Sequence, residues 1–154
     1  MAITKSMFAI LDEIANIKDK KERMEALRVV CGEKRQLATI IQYTYHPDVE
    51  FDLPAGELPT SIWKPALHDD YSATYRIVKT LPNYSIASGV PRKRKEINFA
   101  ALCETVVAED VPLLIGMKDK KLPWRKLGEN FCKQALPELF PTPTGELKDD
   151  EDEE

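Results

Sequence analysis

No run of about 18 apolar residues occurs anywhere in this chain of 154, so no segment is expected to span a membrane. Residues Met1 to Ser6 lack a long apolar stretch and a small-residue cleavage site, which argues against a secretory signal and for a cytoplasmic protein. Cysteine is scarce. Cys31, Cys103 and Cys132 are widely spaced, odd in number and form no CxxC pair, so a structural zinc site has no ligand set and buried, reduced thiols are expected. Only two histidines exist, His46 before Pro47 and His68 before Asp69-Asp70. Nothing in the spacing brings metal ligands to either, and solvated or capping roles follow. The Gly-x-x-x-x-Gly-Lys-Ser/Thr and Gly-x-Gly-x-x-Gly loops are missing, and with them both common phosphate cradles. Gly-x-Ser-x-Gly is missing too. Acidic pairs such as Asp12-Glu13 and Glu109-Asp110 diverge around a helix, which leaves little for general acid–base work. A non-enzymatic protein without metal or cofactor is the expectation. Convincing strand alternation and internal repeats are also lacking, so the class is all-α.

What is present fits one compact multi-helix domain. The length suits a single core, and 43% hydrophobic with 31% charged residues is ordinary for a globular chain. Met7, Ile10, Leu11, Ile14 and Ile17 recur at helical spacing and predict a helix over 4–16, capped by Thr4 or Ser6. A second helix is expected over 19–30, with Met24, Leu27 and Val30 on one face and Lys20 to Arg23 mostly outward. Gly32 would supply its left-handed cap. A third covers 33–45, with Leu37, Ile40, Ile41 and Tyr45 inward. Residues 46–65 carry Pro47, Pro54, Gly56, Pro59 and Pro65 and read as a long connection. Helices follow over 69–80 and 95–109, the latter with a buried stripe through Ile97, Ala101, Leu102, Thr105 and Val106. A segment interrupted by Pro112, Gly116 and Pro123 leads to a last helix over 125–136, closed by Pro137.

Charge is divided unevenly. Asp149, Asp150, Glu151, Asp152, Glu153 and Glu154 hold six negative charges, so the net −4 of the whole chain becomes +2 without them. Such a block repels itself, which predicts a disordered acidic tail over 142–154 behind a domain over 1–141. Cations gather in two places. Arg92, Lys93, Arg94 and Lys95 would lie in a loop entering a helix. Lys118, Lys120, Lys121, Arg125, Lys126 and Lys133 surround the interrupted segment and the last helix. Charges so placed suit phosphate contacts driven by counterion release. Tyr43, Tyr45, Tyr71, Tyr75 and Tyr84 could stack on bases, although helical spacing suits core or boundary positions better.

Several strings carry a family resemblance. Phe8-Ala9-Ile10-Leu11-Asp12-Glu13-Ile14-Ala15 with its lysine-bearing turn Lys18 to Glu22, the helix end Ile41-Gln42-Tyr43-Thr44-Tyr45, Leu102 to Val111, and Asn130 to Pro141 follow one another along the chain. Together they resemble the all-helical DNA-binding domain that opens bacteriophage-type ATP-dependent DNA ligases. The resemblance implies a DNA-ligase N-terminal-domain-like fold and contact with double-stranded DNA. Two departures stand out: Glu109 where the family has arginine, and Pro112-Leu113-Leu114 before Gly116. The family's Lys-x-Asp-Gly signature of the adenylated lysine is missing. The nearest string, Lys148-Asp149-Asp150-Glu151, has Glu151 in the glycine position. The expectation is therefore a phage-encoded, DNA-binding accessory protein of replication, repair or transcription that works without catalysis. The alternative is a protein-interaction module in which the same fold and the acid tail engage a host or phage protein.

Overall fold

The computed structural model describes residues 5–56 and 63–140. Within them the chain is all-α. The order is α1 (Met7–Ala15), α2 (Lys20–Glu33), α3 (Arg35–Tyr45), α4 (Ser72–Ile77), α5 (Arg92–Cys103), α6 (Val111–Lys118) and α7 (Glu129–Ala135). Short 3-10 turns at Val78–Tyr84, Ala108–Asp110, Arg125–Leu127 and Pro137–Leu139 join or extend them. Among the described residues the sole β pairing is an isolated antiparallel bridge between Phe51 and Ser85. The expected acidic tail lies outside the described residues.

Local chemistry sets the boundaries. Ser6 Oγ accepts the Ala9 N–H (3.0 Å) and Asp19 accepts the Glu22 N–H (3.0 Å), so α1 and α2 each start on a side-chain cap. Helix α4 has no side-chain cap at its N-cap Tyr71; Asp70, one residue earlier, accepts from the Ser72 N–H (3.1 Å) and the Ser72 hydroxyl (2.6 Å) in the turn that leads into it. Gly32 does not cap α2. The helix runs through it to Glu33, and α3 begins after a one-residue break at Lys34. Pro112 does not interrupt α6 either: it sits in the first turn, where its missing N–H has no helical partner to lose. Gly116 is required there. A Cβ would lie 2.7 Å from the Lys121 carbonyl, because the chain folds straight back over the helix end.

The core is made where α6 is enclosed by α3, α1 and the turn before it. Leu113, Leu114 and Met117 are fully buried against Leu37, Ile40 and Ile41, each large apolar side chain contributing roughly 1.5–3 kcal/mol. Phe131 of α7 fills the space beside α2. Its ring lies 4.9 Å from the Arg23 guanidinium carbon, and Arg23 also donates to the Ile17 carbonyl (2.9 Å). Arg23 is therefore an interior residue at 2% exposure, not an outward one. Its cation is accommodated by a ring face and helix-end carbonyls.

Distant parts of the chain meet through polar bonds. Asp110, fully buried, accepts the Phe8 N–H (2.8 Å) in the first turn of α1 and the Thr74 hydroxyl (2.5 Å) of α4. Trp124 Nε1 donates to Asp12 (3.0 Å) while its ring packs on Phe8. The Tyr45 hydroxyl donates to the Leu127 carbonyl (2.8 Å) and accepts the Leu122 N–H (3.2 Å).

Helix α5 departs from its expected position. It starts at Arg92, so the basic run forms its first turn and is not a loop. It also ends at Cys103, earlier than Glu109. The buried stripe is Lys95, Phe99, Ala100 and Cys103, and Ile97 is 63% exposed. Phe99 meets Tyr84 edge-on at 5.5 Å, and this large ring decides which face turns inward. The expected helix over 69–80 is α4 for six residues and then tightens into the 3-10 turn that holds Pro82. The last expected helix is divided at Gly128 into a 3-10 turn and α7.

Candidate nucleic-acid interface

The ten cations proposed from sequence separate into three kinds. Lys95, Lys118 and Lys120 are structural. Lys95 Nζ is 3.0 Å from Asp52, with the side chain 2% exposed. Lys118 Nζ donates to the carbonyls of Pro54 (2.8 Å) and Gly56 (2.7 Å) and pairs with Asp119 (2.8 Å). Asp119 in turn accepts the Gly56 N–H (3.1 Å), so two neighbouring residues grip both polar groups of one glycine. Gly56 has φ +89°, a conformation that suits glycine. Lys120 donates to the carbonyls of Tyr43, His46 and Val49 at 3.1, 2.8 and 2.5 Å. It thus satisfies the C-terminal end of α3, where a cation also complements the helix dipole. Burial holds its ammonium below the ordinary lysine range, partly offset by Glu129 and Glu50. All three lysines fasten the connection after α3. Burial removes Lys95 and Lys118 from any phosphate-contacting surface, and the three carbonyls occupy the ammonium of Lys120.

The second kind is paired at the surface. Arg92 lies 3.3 Å from Glu96 and 3.7 Å from Asp52, and Lys133 is 2.7 Å from Glu129. Exposed pairs of this sort contribute about 0–1 kcal/mol and open readily to a competing anion. The third kind comprises Lys93, Arg94, Lys121, Arg125 and Lys126. Lys93, Arg94, Lys121 and Arg125 are exposed and Lys126 is half-buried.

The start of α5 combines two sources of positive potential. Pro91 precedes it, there is no side-chain cap, and no acid lies in its first turn. The first backbone N–H groups of a helix have no partner within it, and they stand here beside Arg92, Lys93 and Arg94. Cations at a helix N-terminus oppose the dipole by about 0.3–1 kcal/mol each. The Asp52 carboxylate, 3.0 Å from Lys95 and 3.7 Å from Arg92, relieves part of that opposition, and an anion beside Lys93 and Arg94 would relieve more.

Groups with reactive potential are differently placed. Burial pushes the Cys31 and Cys103 thiols up to about 12 and raises Cys132 further. His46 Nδ1 accepts the Asp48 N–H (3.0 Å), and His68 Nδ1 accepts the Asp70 N–H (3.1 Å), both turn-closing contacts. Among the described residues no cluster of three histidine, cysteine or acidic side chains could hold a metal ion.

Sequence reasoning missed the internal lysines because it read charge runs without their phase. Lys95 stands four residues before Phe99 and eight before Cys103, on one helical stripe, which was the available signal. No family model, curated protein or solved structure matches the chain.

Proposed function

We propose that this protein is a non-enzymatic, phage-encoded accessory factor that grips the backbone of double-stranded DNA. In this reading it is a stand-alone relative of the helical domain of phage-type DNA ligases. The observation that carries it is the first turn of α5, where Lys93 and Arg94 make no ion pair within the described residues and adjoin uncapped backbone N–H groups. Lys121, Arg125 and Lys126 extend the footprint. Backbone contact dominates, since phosphates take cations in loops and at helix ends without reference to sequence.

The test is a fluorescence-anisotropy titration against duplex DNA at two salt concentrations. Five phosphate contacts give a slope of log affinity on log salt near −4.5, a loss of roughly 500-fold between 50 and 200 mM salt. Substituting Lys93→Glu with Arg94→Glu should flatten the slope by about 2. Binding indifferent to salt would sink the mechanism.

A protein-interaction module is the second reading. It is favoured by a groove of about 570 Å³ between α2, α3 and the Pro137–Leu139 turn, with Arg28 and Arg35 on its walls and Ala38 and Leu136 among its apolar lining. Deleting residues 148–154 separates the two. It should strengthen DNA binding under the first and abolish partner capture under the second.

A further inference from the structure

The five tyrosines have distinct fates. Tyr45 and Tyr84 are core residues, and Tyr71 is half-buried ahead of α4. Tyr43 and Tyr75 line one open cleft of about 600 Å³ between α3 and α4, together with Gln36, Thr39, Arg76 and Lys79. Gln36, Thr39 and Tyr43 fall at i, i+3 and i+7 on α3 and form one stripe; Tyr75 and Lys79 stand four apart on the facing segment. Val78, buried, also lines the cleft. The Tyr75 hydroxyl is buried without a hydrogen-bond partner while the residue as a whole is half-buried. What Tyr75 presents at the surface is therefore carbon and not its hydroxyl. Tyr43 is steadied by an edge contact with Phe51 at 6.4 Å.

The polar groups around these rings have one sign. No carboxylate lines the cleft. Arg76 is held in place by Asp70 (2.9 Å) and the Ser72 hydroxyl (2.6 Å), so its cation is preset at the cost of sharing charge with Asp70. Lys79 is exposed and makes no ion pair within the described residues. Two aromatic rings, an amide, a hydroxyl and two cations match a flat, hydrogen-bonding ring attached to an anion. The volume lies within the range of about 300–1,000 Å³ usual for small-ligand sites.

We infer that the cleft between α3 and α4 takes an unpaired base of single-stranded DNA, stacked against Tyr43 and Tyr75, with Lys79 and Arg76 on the adjoining phosphate. This deepens the DNA-binding reading and rests on it: the first turn of α5 holds the duplex backbone and the cleft holds a base that has left the stack. Stacking on aromatic side chains tolerates any base, so the site selects unpaired DNA over duplex rather than one sequence over another.

The experiment titrates the full chain with a labelled oligothymidylate, an abasic strand of the same length, and a duplex. Tyr43→Ala and Lys79→Glu should each weaken oligothymidylate binding about tenfold and leave duplex binding within twofold. Tyr43→Phe, which keeps the ring, should bind as the parent does. The abasic strand, which has the phosphates and no bases, should bind about tenfold more weakly than oligothymidylate. Oligothymidylate binding unmoved by Tyr43→Ala, or equal binding of the abasic strand, overturns the inference and leaves the duplex reading standing. A parent protein that binds neither form of DNA overturns both.

Discussion

Replacing Lys118 by methionine tests whether a lysine in a basic cluster is a ligand-binding group or a structural one. The substitution keeps the length and apolar volume of the stem and removes three donors. Those donors serve the Pro54 and Gly56 carbonyls and Asp119, all within 2.8 Å, and the side chain is 1% exposed. Each charge-assisted bond contributes roughly 1.5–3 kcal/mol, and breaking a buried pair costs about 3–5 kcal/mol. Pro54 and Gly56 lie at the surface and Asp119 is 29% exposed, so water recovers part of the loss. A net cost of about 2–4 kcal/mol follows. With a urea dependence near 2 kcal/mol per molar, the midpoint should fall by about 1–2 M. The internal control is Lys121→Met, three residues along, exposed and no part of this clamp; it should stay within about 0.5 kcal/mol of the parent. Urea titration followed by helical circular dichroism measures both. Equal stability of Lys118→Met and the parent, or equal loss in both variants, would refute the structural role.

Three further outcomes are expected. Burial raises the Asp110 carboxyl above its ordinary value of 3.8, opposed by its bonds from Thr74 and Phe8. Its protonated form therefore contributes stability that is fully present below pH 3.8 and lost as pH rises through the raised value. Asp110→Asn cannot titrate, so the stability of the parent relative to this variant should decline as pH climbs from below 3.8 towards neutrality; a difference independent of pH would contradict the assignment. Tyr75→Phe removes a buried hydroxyl that makes no bond and should leave stability unchanged or raise it by about 1 kcal/mol, whereas a loss above about 1 kcal/mol in thermal or urea unfolding would mean the hydroxyl has a partner. All three thiols are buried and poorly ionised, so an aromatic disulfide reagent at mildly alkaline pH should label none in the folded protein and three in urea, and a thiol labelled rapidly in the folded state would refute that burial.

Helical class and the first three helices were legible because their apolar residues keep a helical period and their caps are local: Ser6 and Asp19 stand within three residues of the donors they serve. Later elements were less so. The phase of α5 is fixed by Tyr84 in the turn before it and by the distant Asp52 carboxylate, neither of which lies within the helix, so Ile97 looked as suitable for the interior as Phe99. Arg23 is interior because the Phe131 ring of α7 covers it, and Lys118 because the Pro54 and Gly56 carbonyls reach it, facts invisible to composition. The candidate interface was legible as an inventory of cations and not as a surface. The cleft between Tyr43 and Tyr75 needed two helices brought together from opposite sides of a proline-rich connection.

The carboxylate of Asp110 has a consequence for the order in which the molecule is made. The donor it satisfies, the Phe8 amide in the first turn of α1, lies 102 residues earlier. At about 5–20 residues per second of synthesis, α1 waits roughly 5–20 s for that partner. Until then Ser6 alone closes its first turn, and an isolated nine-residue helix is too short to persist in water. The opening helix is therefore among the last elements to become permanent. Its Phe8 amide should exchange with solvent throughout in a chain truncated before Asp110, and slowly in the full one.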